Sequence, residues 1–405
     1  MRKQLFIFVI STLGIIACNS SSTNTETSKN DVAKLDSLKS DTTFNEEIEV
    51  GKAKAFCNND SLNSIANLIS GINDSSKTFD YIKNSSSFKL FSNNFNKRWS
   101  SFDSSRLTNL RNFRENEISK VVKTQSTLFY PFSGPDILHA QTFFPDADKY
   151  VMIGLEPVGS FPGFKKDEKD STNAYFNKIN TSLNAILKFS FFRTESMSKD
   201  LRNTEVDGTL HLLFLFLKRT GNSICSAKPL TIDSLGNMVF LNSFQELKKM
   251  KTPTRGIEIK FTNKNGEPQT LYYFSLNAAD GGLKSNKGFV TYLKNMGTVN
   301  TYLKGASYLM HKSYFSIVRN VILNQSENVI QDDSGIAFHY FTESNSKWKY
   351  VFYGKYLRPI SLFSQFYQAD LDSTYKLQGA KPIGFGIGYN FRDKNSNFMI
   401  AVKQK

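Results

Sequence analysis

The chain has 405 residues, 40% of them hydrophobic, which is enough for one large globular domain or two modest ones. Its formal net charge of +15 predicts anionic partners, and in an exported protein these are anionic lipid, polysaccharide or peptidoglycan rather than nucleic acid. A solvated lysine-rich surface that only aids solubility is the alternative. With four histidines, three cysteines and no Cys-x-x-Cys pair, we predict no metal site and no cofactor.

The N-terminus has the pattern of a bacterial lipoprotein signal. Arg2 and Lys3 precede an apolar run from Leu5 to Ile16, which Ala17 and Cys18 close. This resembles a lipobox, in which the cysteine thiol is acylated after cleavage. A plain signal peptide or a short membrane helix is the alternative, but the run is too short to cross about 30 Å of hydrocarbon. We therefore predict a signal peptide over residues 1–17 and membrane attachment through lipid on Cys18.

The residues that follow indicate the compartment. Residues 18–48 are predicted to be a lipidated cysteine and a disordered tether, since positions 19–44 are almost devoid of apolar side chains. Asn19–Ser22 lacks the acidic cluster that marks surface export in similar proteins of the Bacteroidota, which favours an outer-membrane anchor facing the periplasm and leaves surface exposure open. An oxidising periplasm permits Cys57 and Cys225 to pair, but the sequence does not require it.

The N-terminal half, residues 49–222, is predicted to be mostly helical. A helix is expected after Asn59 and Asp60, where apolar residues recur at helical spacing until Gly71 supplies the stop. Aromatic residues between positions 91 and 113 form a stripe that is typical of one or two core-facing helices. Further helices are predicted over residues 172–192 and 209–220.

The C-terminal half, residues 223–405, mixes strands with helices, and Asn265-Gly266 is its clearest hairpin turn. Strands are predicted over residues 229–232, 238–241, 257–261, 271–274, 336–341, 350–353 and 383–389, and a helical stretch over residues 289–323. Since the two element types do not alternate regularly, we predict an α+β fold of mixed helices and short antiparallel strands rather than a doubly wound parallel sheet. The two halves can also form one continuous domain.

Two stretches about 200 residues apart suggest an internal repeat. The first contains Ser133-Gly134, His139 and Lys149-Tyr150-Val151, and the second contains Ser334-Gly335, His339 and Lys349-Tyr350-Val351. Duplication would create two pseudo-equivalent halves whose loops line one cleft, whereas chance similarity of common residue types is the alternative. The candidate binding loops are then Ser133, Gly134, Asp332, Asp333, Ser334 and His339.

Asp136, His139 and Glu156 are candidates for acid–base catalysis. His139 lies one helical turn after Asp136 on the same face, and Glu156 would supply a second carboxylate for work on a sugar or an ester. The structural interpretation is that Ser133 and Asp136 begin a helix, as a cap and as a favourable charge at its N-terminus. We favour the structural interpretation.

Asp332-Asp333 allows two interpretations as well. Adjacent carboxylates can hold a divalent cation, or the aspartates can bond to their own backbone in a turn with Ser334. No acidic residue follows at the interval of a calcium loop, which favours the turn.

The segments Phe129–Asp136, Gly154–Gly159 and Gln331–Ile336 are the least generic part of the chain. They resemble segments of a family of uncharacterised bacterial lipoproteins, and the resemblance extends from about Trp99 to Tyr389. It implies an envelope lipoprotein but supplies no catalytic role for any residue.

Three functions follow as hypotheses. The first is a lipid-anchored, non-catalytic binding or structural module for an anionic envelope component. The second is a periplasmic hydrolase that acts on polysaccharide or peptidoglycan through Asp136, His139 and Glu156. The third is a solute-binding lipoprotein, which depends on the repeat.

Overall fold

Ten strands form one mixed sheet in the computed structural model, which describes residues 57, 59–123, 126–164, 169–189, 206–344, 346–392 and 396–404. The strands are β1 (Thr127–Tyr130), β2 (Lys149–Gly154), β3 (Ser223–Ile232), β4 (Met238–Phe240), β5 (Arg255–Thr262), β6 (Pro268–Ser275), β7 (Val299–Leu303), β8 (Ser326–Gln331), β9 (Trp348–Tyr353) and β10 (Phe398–Lys403). Their order across the sheet is β4-β3-β5-β6-β2-β1-β7-β8-β10-β9. The described residues all belong to one compact unit.

The described residues also form thirteen α-helices. These are α1 (Asp60–Ile69), α2 (Asp80–Lys83), α3 (Ser86–Phe102), α4 (Thr108–Asn116), α5 (Ile137–Phe143), α6 (Lys169–Phe189), α7 (Leu210–Arg219), α8 (Phe244–Lys249), α9 (Asp280–Lys284), α10 (Lys287–Lys294), α11 (Ser316–Gln325), α12 (Phe338–Thr342) and α13 (Ala369–Gln378). A π-helical turn, Asp103–Leu107, joins α3 to α4.

The predicted α+β fold is confirmed, with antiparallel strands at both sides of the sheet. The centre differs from the flanks, because the five neighbours β6-β2-β1-β7-β8 are parallel. β9 also runs in the direction of β8, since both are antiparallel to β10 between them. The carboxyl ends of these six strands therefore lie at one edge of the sheet, called here the carboxyl edge.

Helices cover both faces of the sheet, as parallel strands require. Successive side chains of β1 show the two faces: Leu128 and Tyr130 pack into one core with α5, and Phe129 packs into the other with α11. The strands are therefore buried on both sides and lack the alternation of apolar and polar residues that marks a one-sided strand.

The connections diverge at the centre of the sheet. The chain leaves β1 for β2 through α5, and it leaves the adjacent β7 for β8, on the opposite side, through α11. Loops that part in opposite directions leave a crevice at the carboxyl ends of their strands, where ligands bind in many open sheets. A ligand site is therefore expected at the loops after β1 and β7.

Several predicted elements are confirmed and three are wrong. The helix after Asn59 begins with the Asn59 side chain accepting from the Leu62 backbone N–H, and Gly71 follows it at φ +64°. The stretch 289–323 is interrupted by β7, whose five residues are all buried. The predicted strand 336–341 lies largely in α12, and the predicted strand 383–389 is a loop in which Gly384 and Gly388 have positive φ.

The two predicted halves contribute to one sheet, since β1 and β2 lie between β6 and β7. Both stretches of the suggested repeat run from strand to loop to helix to strand. β2 pairs directly with β1, however, whereas β10 lies between β8 and β9. The duplication stays a prediction.

A disulfide joins Cys57 to Cys225 and fixes the start of the described domain to β3. Next to it, the Asn63 side chain accepts from the Ile224 backbone N–H at 3.1 Å and donates to the Ile224 carbonyl at 2.9 Å. Asn59 donates to the Cys225 carbonyl at 3.3 Å. The start of α1 therefore covers backbone groups of β3, which protects an edge that could otherwise pair with another chain.

Candidate functional site

Residues from four loops meet the carboxyl edge of the parallel strands. Asp136 and His139 follow β1, Glu156 follows β2, and Lys304 follows β7. The turn Asp332–Ser334 follows β8. Most of the predicted site residues are therefore brought to one edge of the sheet, although they lie far apart in sequence.

Asp136, His139 and Lys304 form a buried charge network. The Nδ1 atom of His139 lies 2.8 Å from Asp136 Oδ1, and the Lys304 ammonium lies 2.5 Å from Asp136 Oδ2 and 3.0 Å from His139 Nδ1. The Tyr130 hydroxyl donates to Asp136 Oδ2 at 2.9 Å. All four side chains are at most 3% exposed. The network therefore has no open face through which a polymer could approach it.

Asp136 combines the two roles that the sequence offered as alternatives. It is the N-cap of α5, where Oδ1 accepts from the His139 backbone N–H at 3.3 Å, and the same carboxylate contacts the His139 ring. Lys304 was not among the predicted site residues. Its signal in the sequence is weak, because nothing in the neighbouring residues Val299–Gly305 distinguishes it from other lysines.

The network sets the charge of its members. Burial by itself raises the pKa of Asp136, but His139 and Lys304 outweigh burial and hold this pKa at about 2. Burial lowers the pKa of His139 and also that of Lys304, and Asp136 opposes both changes. At neutral pH we therefore expect an ionised Asp136 beside a neutral His139. In the tautomer that donates from Nδ1 to Asp136, the Lys304 ammonium cannot also donate to Nδ1, and Nε2 is the basic nitrogen, which is the arrangement of a general base.

Glu156 lies beside the same loops but packs against backbone. A Cβ added at Gly134 would lie 3.4 Å from both carboxylate oxygens of Glu156, and a Cβ added at Gly154 would lie 2.6 Å from Oε2. The Tyr273 hydroxyl donates to the Glu156 carbonyl at 2.8 Å. The buried Glu156 side chain therefore fills the space that the two glycines leave between neighbouring loops.

The Asp332–Ser334 turn is held by protein donors. Asp332 accepts from the Gly305 backbone N–H at 2.9 Å and from the Ser334 backbone N–H at 3.0 Å, and it also accepts from the Ser334 hydroxyl. Asp333 accepts from the Tyr308 hydroxyl at 2.7 Å. The bonds from Ser334 to Asp332 are those of the predicted turn, whereas Gly305 and Tyr308 donate from the loop after β7. Among the described residues, no group of three or more His, Cys, Asp or Glu side chains is arranged to hold a metal ion.

Backbone strain collects at the same edge. Among the described residues, three non-glycine residues have positive φ: Phe132 after β1, and Ser307 and Tyr308 after β7. Such conformations cost of order 1–3 kcal/mol each and persist where the surroundings over-determine them. Here the Tyr308 ring stacks on Phe366 at 5.1 Å, and its hydroxyl is held by Asp333. The stacking of the Tyr308 ring and the hydrogen bond of its hydroxyl therefore hold the loop after β7 in this conformation.

The remaining predicted residues do not meet in one open cleft. Ser133 and Gly134 are buried, and the Ser133 hydroxyl donates to the Gly134 carbonyl at 2.9 Å. His339 is exposed on α12, with its ring 4.0 Å from that of Tyr340. Cys18 lies outside the described residues.

Asp333 has the pKa that matters most near neutral pH. Burial raises its pKa, the neighbouring Asp332 raises it further, and hydrogen bonds from Tyr308 and Asn397 oppose the change, which leaves a pKa of about 7. A small cavity of about 10 Å³ adjoins both aspartates, which is the size that admits one water molecule.

Replacement of Asp333 by asparagine is expected to remove a loss of stability that the wild type shows as pH rises. Because the folded-state pKa is raised, the folded state binds this proton more tightly, so the contribution of Asp333 to stability falls as pH rises from about 4 to 7. Between pH 5 and pH 8, the wild type should lose about 2–3 kcal/mol relative to Asp333→Asn. Urea unfolding of both proteins at the two pH values measures this difference. Both proteins have the same histidines, so the contribution of histidine titration cancels in the comparison. A difference that does not change with pH would contradict the assignment.

An open groove lies farther along the same edge. It begins where β9 ends, is bounded by α13, and has a volume of about 460 Å³.

None of the helices in the described part of the chain is both long and apolar enough to cross a membrane.

No family model, curated protein or solved structure matches the chain, so its function has to be inferred from its own residues.

Proposed function

We propose that the protein is a lipid-anchored envelope protein, held at the outer membrane and facing the periplasm, whose folded domain is a non-catalytic binding module for an anionic component. The observation that carries this proposal is the closure of the charge network: Asp136, His139 and Glu156 are each at most 1% exposed. Side chains in that position brace the loops of the carboxyl edge and leave recognition to exposed groups.

The charge distribution supports an anionic partner. The formal net charge of the chain is +15, and among the described residues more acidic than basic side chains are buried, six against three, so the exposed surface keeps an excess of cations. An excess of exposed lysine attracts anionic surfaces, and this attraction weakens as salt screens the charges. Lysines whose only role is solubility would attract every anionic component of similar charge alike, whereas a binding module would retain one of them in preference to the others.

Co-sedimentation tests the binding function. The chain from residue 18 with Cys18→Ala is mixed with phosphatidylglycerol vesicles, with peptidoglycan sacculi and with an acidic polysaccharide gel, and phosphatidylcholine vesicles and a neutral gel are the controls. We expect retention on at least one anionic component, decreasing between 50 and 500 mM salt by the screening argument. Retention on none of the three would overturn the proposal.

Lipid attachment has its own test. We expect the wild-type chain, expressed in a bacterium, to incorporate an alkyne-labelled palmitate and to fractionate with membranes. Cys18→Ala should lose the label, whereas Cys57→Ser/Cys225→Ser should keep it. A label that persists in Cys18→Ala would contradict lipidation at this residue.

A hydrolase is the second candidate, and the contact between Asp136 and His139 Nδ1 favours it. The His139 Nε2 atom is buried and has no hydrogen-bond partner among the described residues, so it is the atom that would act as the base. Soluble fragments released from sacculi by the wild type, and lost in His139→Gln, would replace the binding proposal with this one.

A further inference from the structure

The groove beside β9 has the size of a ligand site. Its volume of about 460 Å³ lies within the range of about 300–1,000 Å³ that is usual for small-molecule pockets. Its lining includes Lys355, Tyr356, Leu357, Tyr375, Lys376 and Pro382. Unlike the buried network, it is open to solvent, because Lys355 and Lys376 are both exposed. It lies at the carboxyl edge, since its first residues follow β9.

One wall of the groove contains the half-buried Tyr356 and the buried Tyr375, and Tyr367 packs against Tyr356. The ring of Tyr356 lies 5.8 Å from that of Tyr367 and 5.9 Å from that of Tyr375, with interplanar angles of 25° and 34°. The Tyr356 hydroxyl accepts from the Gln368 backbone N–H at 2.9 Å, and the Tyr375 hydroxyl donates to the Phe398 carbonyl at 3.0 Å. Because these rings are already held in place, a ligand that packs on them costs little additional ordering entropy.

The rim of the groove is cationic. Lys355 and Lys376 line it, and the guanidinium of the exposed Arg358 lies 5.3 Å from the centre of the Tyr367 ring. One carboxylate, Asp372, is among the lining residues, where it pairs with Lys376 at 2.6 Å and accepts from the Tyr367 hydroxyl at 2.7 Å. Positive charge therefore exceeds negative charge at the opening.

These two features together select a chemistry. The exposed part of the Tyr356 ring suits the apolar C–H face of a pyranose, and the exposed ammonium groups of Lys355 and Lys376 suit carboxylates placed around it. A lipid surface would instead need an exposed apolar or flat cationic face, and the groove is concave with phenol-bearing walls. We propose that the groove formed by Lys355, Tyr356, Tyr375 and Lys376 binds a carboxylate-bearing saccharide. This inference rests on the proposed binding function and names its partner class.

Titration with oligosaccharides tests the groove. The chain from residue 18 with Cys18→Ala is titrated calorimetrically with hexagalacturonate, which carries one carboxylate per ring, and with maltohexaose, its neutral counterpart of equal length. We expect binding of hexagalacturonate and binding of maltohexaose that is weaker by about tenfold or more. Lys355→Ala/Lys376→Ala should weaken hexagalacturonate binding by about tenfold or more on the same grounds.

The matched control removes two exposed lysines at the opposite edge of the sheet, in Lys260→Ala/Lys264→Ala. This variant should bind hexagalacturonate within about twofold of the parent, as expected when only distant, screened charges change. Equal weakening in both double variants, or none in either, would overturn the groove while leaving a binding function. Equal affinity for maltohexaose would overturn the carboxylate requirement.

Failure of the inference can be separated from failure of the proposed function. If hexagalacturonate does not bind but vesicles or sacculi retain the chain, the saccharide assignment is wrong and the binding function stands. If neither the oligosaccharide nor any anionic component binds, both are wrong.

Discussion

Replacement of Lys304 by methionine is expected to lower the free energy of unfolding by about 3–5 kcal/mol, the usual cost of leaving one charge of a buried pair alone. The Lys304 ammonium lies 2.5 Å from Asp136, both side chains are buried, and methionine has a similar length but no charge. The Asp136 carboxylate would then face a neutral imidazole and one phenol. Urea unfolding followed by circular dichroism at pH 7 measures the effect.

Two variants separate lost charge from lost packing. Asp136→Asn/Lys304→Met removes both charges while the asparagine can still cap α5, so we expect it to recover at least half of the loss. Lys248→Met breaks an exposed pair with Asp207, at 3.5 Å, and should change stability by less than about 1 kcal/mol. A double variant as unstable as Lys304→Met alone would show that packing of the lysine stem, not its charge, matters.

Lowering the pH should reduce the loss of stability that Lys304→Met causes relative to the wild type. In the wild type, Asp136 has a pKa lowered to about 2, so its contribution is present above about pH 4 and is lost as pH falls towards 2. Without the lysine, the Asp136 pKa should rise, and the carboxyl can become neutral at a mildly acidic pH. The difference in stability between wild type and variant should therefore be smaller at pH 4 than at pH 7.

Loss of the disulfide is expected to lower stability by about 2–5 kcal/mol. Cys57 and Cys225 are 168 residues apart, and a cross-link over so long a loop removes much of the freedom of the unfolded chain. Urea unfolding of the wild type with and without dithiothreitol, and of Cys57→Ser/Cys225→Ser, measures this contribution.

Three outcomes are informative for the disulfide. Dithiothreitol should lower the midpoint of the wild type to that of the double serine variant and leave the variant unchanged. Asn63→Ala keeps the bond but removes the side chain that pairs with Ile224, and it should cost about 1–3 kcal/mol in both redox states. A wild-type midpoint insensitive to reductant would contradict the bond.

The sequence predicts much of the periphery of the fold and little of its centre. The helix that begins at Asp60 has a cap at Asn59, a periodic apolar face and a glycine after its end at Gly71, all within thirteen residues. β7 has none of these local marks. All five side chains of Val299–Leu303 are buried although Asn300 and Thr301 are polar, so no alternation of apolar and polar residues marks the strand.

The candidate site likewise has one part that local sequence predicts and another part that depends on how the strands pair. Asp136 and His139 are three residues apart, and their contact follows from helical spacing alone. Lys304 reaches them only because β7 pairs with β1, a pairing between residues more than 170 positions apart that no local pattern reports. Lys355 and Tyr356 likewise become a groove only once α13 packs beside the end of β9.

The place of β10 has a consequence for how the chain reaches its native state. β10 is the last strand in sequence, yet it is an interior strand that joins β8 to β9. Until residues 398–403 arrive, β8 has an unpaired edge and β9 has no partner in the sheet. Before this segment is made, the chain exposes unpaired backbone groups of β8 and β9, and truncation before Phe398 should yield aggregates rather than a smaller folded domain.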